Sequence, residues 1–78
     1  MKIVTVYSRT GCHLCETAIA KIQSVKTDSN FNLEVKLIDG DLELEKKYGE
    51  QIPVILIDDK PHDYWRVDLE RFTAAINN

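Results

Sequence analysis

The amino-acid sequence predicts an α/β fold, one mixed four-stranded sheet with helices on both faces, in the order βαβαββα. Three observations carry that expectation. The chain opens on a β-branched, almost uncharged run. A helical apolar stripe and then a period-2 strand follow it. The last third holds two strand-like runs separated by a tight turn, then an amphipathic close. The 78 residues suffice for one domain, residues 1–78, with a single core. There is no repeat, linker or low-complexity segment.

Lys2 to Tyr7 reads as a strand buried on both faces, as in a parallel sheet. Ser8 to Gly11 is a polar loop. A helix is expected from Cys12 or His13 to Lys26, with Leu14, Ala18, Ile22 and Val25 as its apolar stripe. The turn formers Thr27-Asp28-Ser29-Asn30 end it. In Phe31 to Ile38, Leu33, Val35 and Leu37 alternate with Asn32, Glu34 and Lys36, which predicts a strand with one polar face. Asp39-Gly40-Asp41 breaks it. Leu42 to Tyr48 opens with acids and closes with Lys46 and Lys47, the charge order a helix dipole favours. Gly49 stands where a left-handed cap is expected.

Pro53 to Ile57 is apolar throughout and predicts a central strand. Asp58-Asp59-Lys60 predicts a hairpin turn, and Pro61 to Trp65 a fourth strand, with Pro61 suited to an edge. Asp68 is positioned to cap a last helix that turns Leu69, Phe72 and Ile76 inward. The first two strands flank a helix, so they should run parallel with a right-handed crossover. The last two should form an antiparallel hairpin.

The composition is that of a soluble globular protein, 44% apolar and 29% charged. A net charge of −3, from 10 basic and 13 acidic residues, argues against a nucleic-acid footprint. No apolar run approaches the roughly 18–20 residues of a membrane span. The opening is too short and too polar at Thr5 for a signal peptide, so the cytoplasm is the expected compartment. Two cysteines are too few for a disulfide-rich secreted scaffold.

Their spacing, Cys12-His13-Leu14-Cys15, is the most informative feature of the chain. The pair sits where a loop enters a helix. A thiolate there meets unpaired N–H groups and the positive end of the dipole, which lowers the pKa of Cys12 below the free value of about 8.5. Cys15 lies one turn on, within reach. This arrangement suits a reversible disulfide, with Cys12 attacking a substrate disulfide and Cys15 resolving the mixed intermediate. The competing readings are two inert core cysteines and a metal or iron–sulfur cluster bound through Cys12 and shared between chains. A zinc site within one chain lacks a second ligand pair.

With the element order, Cys12-x-x-Cys15 after the first strand, and Ile52-Pro53 opening the third, nearly the whole chain resembles the thioredoxin-like superfamily, and within it the small glutaredoxin-like proteins. The resemblance implies a thioredoxin-like fold and thiol–disulfide oxidoreductase activity in cell redox homeostasis. It implies a cis Pro53 beside the cysteine pair and substrate contacts from the backbone of Ile52. It implies no tightly bound cofactor, disulfide-containing proteins or small molecules as substrates, and glutathione or a thioredoxin-reductase-type flavoprotein as reductant. A monomer is expected.

Two departures stand out. Typical glutaredoxins carry Pro-Tyr between the cysteines, where this chain has His13-Leu14. They also carry a Gly-Gly pair before an acidic residue at the last helix. Here Tyr64-Trp65-Arg66-Val67-Asp68 has no glycine, and Asp68 matches the acidic position that would receive the glutathione amine. Redoxins that donate electrons to ribonucleotide reductase often show an aromatic–Arg patch there, and Trp65-Arg66 is similar to it.

Several other residues have two readings. Arg9 adds positive potential near Cys12, for substrate binding, or is an ordinary loop residue. His13, as a cation, would stabilise the thiolate, or, neutral, is simply solvated. Tyr7 suits the edge of the core, and His62 a solvated hairpin. Tyr64 and Trp65 suit either core-edge packing or a docking surface. The run Asp39-x-Asp41-x-Glu43 with Glu50 mimics a calcium loop, but Leu44 stands where that motif needs glycine, so helix-start acids explain it better.

Overall fold

A computed structural model describes residues 2–26 and 30–77. The elements are β1 (Lys2–Ser8), α1 (His13–Lys26), β2 (Phe31–Leu37), α2 (Leu42–Tyr48), β3 (Val54–Ile57), β4 (Lys60–Tyr64) and α3 (Leu69–Asn77). The sheet order is β2-β1-β3-β4. β1 pairs parallel with β2 and antiparallel with β3, and β3 pairs antiparallel with β4. Among the described residues this is the predicted order and pairing. The turn expected at Thr27-Asp28-Ser29-Asn30 has its residues 27–29 outside them.

Side-chain alternation along the central strands splits the core into two layers. Val4, Val6, Ile55 and Ile57 join Ala18 and Ile22 of α1 and Phe72 and Ile76 of α3 in one cluster. Val54 and Leu56 join Ile38, Tyr48 of α2, Ile52 and Cys15 in the other. One helical pair therefore covers one face and α2 the other. All four residues of β3 are buried, as its unbroken apolar run requires. Asp58 and Asp59 both take positive φ, 51° and 66°, the type I′ geometry that matches strand twist in a two-residue hairpin.

Four expectations need correction. Leu14 is 58% exposed, and Cys15 takes the buried place in the α1 stripe with Ala18 and Ile22. Positions 15, 18 and 22 keep helical spacing, and Cys15 packs with Ile38, Tyr48, Ile52 and Val54. Gly49 is right-handed, at φ −54° and ψ −30°, because α2 continues into it and its N–H reaches the Glu45 carbonyl. Glycine is needed there for space, since a Cβ would collide with that same carbonyl oxygen. β4 ends at Tyr64, and Trp65 leaves the strand at φ +66°. On β2, Val35 and Leu37 are 44% and 56% exposed, because β2 is an edge strand and the core covers only its first half.

Candidate functional site

Cys12 occupies the cap position of α1. Its carbonyl accepts from Glu16 N–H at 3.1 Å, the first intrahelical bond. Its Sγ accepts from Cys15 N–H at 3.2 Å. That is the bond a capping serine would make, with sulfur in place of oxygen. Cys12 and Cys15 form a disulfide across a Cα separation of 5.2 Å. Their environments differ. Cys12 is half-buried, whereas Cys15 is 1% exposed within the α2-side cluster.

The loop that presents Cys12 is fastened from both sides. Gly11 supplies a positive φ of 76° just before it. Thr10 N–H donates to Asp39 Oδ2 at 2.8 Å, and the Arg9 guanidinium donates to the Gly49 carbonyl at the end of α2. Hydrogen bonds from the Thr10 side chain and backbone, aided by the Arg9 charge, hold the Asp39 carboxyl below its usual range. Tyr7 stacks on Tyr48 with ring centroids 4.7 Å apart, so its core-edge place joins β1 to α2. Asp39 and Tyr48 are site supports that the sequence reading missed. The Asp-Gly-Asp run was their only signal, and there it indicates a turn and a helix cap: Asp41 Oδ1 accepts from Leu44 N–H at 3.1 Å.

The Ile52–Pro53 peptide is cis, and both residues are buried. Trp65 N–H donates to the carbonyls of Pro53 at 2.8 Å and Gln51 at 3.2 Å, and its indole N–H to Glu50 at 2.7 Å. Neither the N–H nor the C=O of Ile52, between them, is hydrogen-bonded to another described residue. Ile52 thus keeps both backbone groups unpaired among the described residues. Asp68 caps α3 as predicted, its Oδ1 accepting from Glu70 and Arg71 N–H at 3.0 and 3.3 Å. Leu14, exposed beside the cysteines, shares a shallow groove with Trp65, Arg66 and Val67. His13 is exposed, with Nδ1 3.8 Å from Glu16 Oε2.

His62 is not the solvated residue the sequence suggested. Its ring meets Phe72 edge-on at 6.1 Å, and its Nε2 is buried with no hydrogen-bond partner among the described residues. Burial, and then the Arg71 charge, push its pKa below the ordinary 6.5, against the pull of Asp63 and Asp68.

Among the described residues no three His, Cys, Asp or Glu side chains gather as a metal site. No described helix is long and apolar enough to cross a membrane.

The chain is similar in sequence and shape to several known proteins. Protein Ne2328 from Nitrosomonas europaea is 35% identical, with a TM-score of 0.85 over 96% of this chain and 91% of its own. Protein XcR50 from X. campestris is 30% identical, with a TM-score of 0.76 over 95% of each chain. A mutant thioredoxin from Halobacterium salinarum, only 12% identical, shares the fold with a TM-score of 0.70 over 97% of this chain and 72% of its own. Residues 3–77 match the family described as "Glutaredoxin-like domain (DUF836)". With a thioredoxin-like sheet, a C-x-x-C pair at disulfide distance on its first helix, and that match over almost its full length, the chain belongs to this glutaredoxin-like family.

Proposed function

We propose that the protein is a thiol–disulfide oxidoreductase in which Cys12 is the nucleophile and Cys15 the resolving thiol. The observation that carries this reading is the asymmetry of the pair: a half-buried cysteine whose sulfur accepts a helix-end N–H, joined to a buried one. The Cys12 thiolate attacks one sulfur of a substrate disulfide. A mixed disulfide forms, and the other substrate half leaves as a thiolate that takes up a proton. Cys15 then gives up its proton and attacks Cys12 Sγ. The substrate's second half leaves, and the Cys12–Cys15 disulfide closes. The substrate gains two electrons and the protein loses two. Glutathione or a thioredoxin-reductase-type flavoprotein restores the dithiol in a reducing compartment such as the cytoplasm. An extended substrate segment would lie beside Pro53 and pair with the Ile52 backbone, with Arg9 and Asp68 as further contacts.

Reduced Cys15→Ser and Cys12→Ser proteins test the reading. Incubated with a disulfide peptide, Cys15→Ser should accumulate a mixed disulfide on Cys12, seen by intact mass, and Cys12→Ser should accumulate none. Serine is a good cap, so Cys12→Ser keeps α1 intact and a negative result reports chemistry. Trapping through Cys15 in the Cys12→Ser protein would reject the assignment.

A further inference from the structure

β2 and β4 are the two edges of the sheet. β4 has five residues and carries Pro61, which blunts an edge. β2 has seven residues and no proline, and it exposes Val35 and Leu37 on the face where Phe31 and Leu33 enter the core. A strand of this kind is a template for pairing with another chain. On its other face Glu34 and Lys36 are exposed, and neither has an ion-pair partner among the described residues.

We propose that β2 pairs antiparallel with β2 of a second copy of this chain, about a two-fold axis at Val35. The pairing register decides it. Around such an axis each residue faces one whose number makes a constant sum with its own. Side-chain faces and outward backbone groups alternate with period two, so the axis must lie on a residue rather than between two. An axis at Glu34 sets carboxylate against carboxylate, and one at Lys36 sets ammonium against ammonium. An axis at Leu33 sets Glu34 against Asn32, and one at Leu37 sets Lys36 against Ile38, so neither pairs opposite charges. Only at Val35 does Glu34 of each copy face Lys36 of the other. The same register sets Leu33 against Leu37, and Val35 against itself, on the apolar face.

Since β2 runs parallel to β1, its C-terminal end lies at the Cys12 end of the sheet. The antiparallel dimer therefore places the two cysteine pairs at opposite ends of one continuous eight-stranded sheet, both open. This arrangement differs from the monomer expected from the sequence and does not depend on the proposed redox role. An edge-to-edge contact is small, so association should be weak and concentration-dependent.

Sedimentation velocity on the oxidised full chain from about 10 µM to about 2 mM, in low salt, tests it. The wild type should pass from monomer to dimer within that range. Glu34→Lys and Lys36→Glu should each raise the dissociation constant at least tenfold, by setting like charges opposite. The double exchange E34K/K36E should bring it back to within about threefold of wild type. Both positions are exposed, and circular dichroism checks that each variant is folded. A wild type that stays monomeric throughout, single variants that dimerise like wild type, or a double exchange that fails to restore the dimer would each overturn the proposal.

Discussion

In the reduced protein Cys12 should react with iodoacetamide at pH 7 about a hundredfold faster than Cys15. Two effects set that ratio. The first is charge stabilisation by the Cys15 N–H, 3.2 Å from Cys12 Sγ, and by the end of α1. A thiol of ordinary acidity is already about 3% ionised at pH 7, so full ionisation gains at most about thirtyfold. Roughly half of that, on a logarithmic scale, is given back because a better-stabilised thiolate is a weaker nucleophile. About fivefold remains. The second effect is access. Cys15 is 1% exposed among Ile38, Tyr48, Ile52 and Val54, so the reagent must wait for local opening. An opening that costs about 2 kcal/mol slows the reaction about thirtyfold. Together the two effects give the order of a hundred. The assay is substoichiometric alkylation of the fully reduced protein, quenched over time and read by peptide mass. Equal rates, or faster labelling of Cys15, would refute both the burial argument and the assignment of roles.

Phe72→Ala should lower unfolding stability by about 3–5 kcal/mol, read from urea denaturation, because Phe72 is fully buried and meets Phe31 and His62 edge-on. The stability of the wild type should fall as pH drops below 6.5: the folded pKa of His62 is depressed, so the unfolded chain takes up the proton first and the stabilisation present above 6.5 is lost through the lower, folded value. His62→Gln should flatten that decline, and a profile unchanged by the substitution would contradict it. With a mixed-disulfide substrate, glutathione should support turnover at least about tenfold more weakly than dithiothreitol does. Trp65→Gly should narrow that gap, since glycine takes the existing φ of +66° without strain and clears the indole from the groove.

The cysteine site was legible because it depends on local geometry: a thiol at the residue before a helix meets the helix-end N–H groups whatever the rest of the chain does. Element order and strand pairing were legible for a similar reason, since the period-2 and helical stripes and the Asp-Asp turn are each short-range. The errors lie where burial is decided at a distance. Leu14 and Cys15 are adjacent, and both fit a stripe with Ala18. Hydrophobicity alone favours leucine, and only the cluster of Ile38, Tyr48, Ile52 and Val54 around Cys15 shows why cysteine goes inward. Val35 and Leu37 alternate as a half-buried strand should, yet how much of an edge is covered depends on where the core ends. His62 sits in a polar hairpin, and nothing in that local sequence reveals Phe72 beneath its ring.

Trp65 is the clearest case of long-range structure overriding local preference. A bulky residue with positive φ is disfavoured by about 1–3 kcal/mol, so the sequence around it suggests a strand continuing through Trp65. Three carbonyls from residues 50, 51 and 53 converge on its two N–H groups. Hydrogen bonds of about 0.5–1.5 kcal/mol each are enough to offset the strain. The chain thereby keeps at this position the left-handed backbone that glycine adopts freely, but with an indole attached. The same bonds tie the segment before α3 to both neighbours of Ile52. Any ligand using the free Ile52 backbone groups would therefore lie beside an aromatic wall held in place by that backbone. For the oxidoreductase proposed above, such a wall should favour partners that present a surface to it, as a polypeptide disulfide does, over a small tripeptide that needs the backbone to come close.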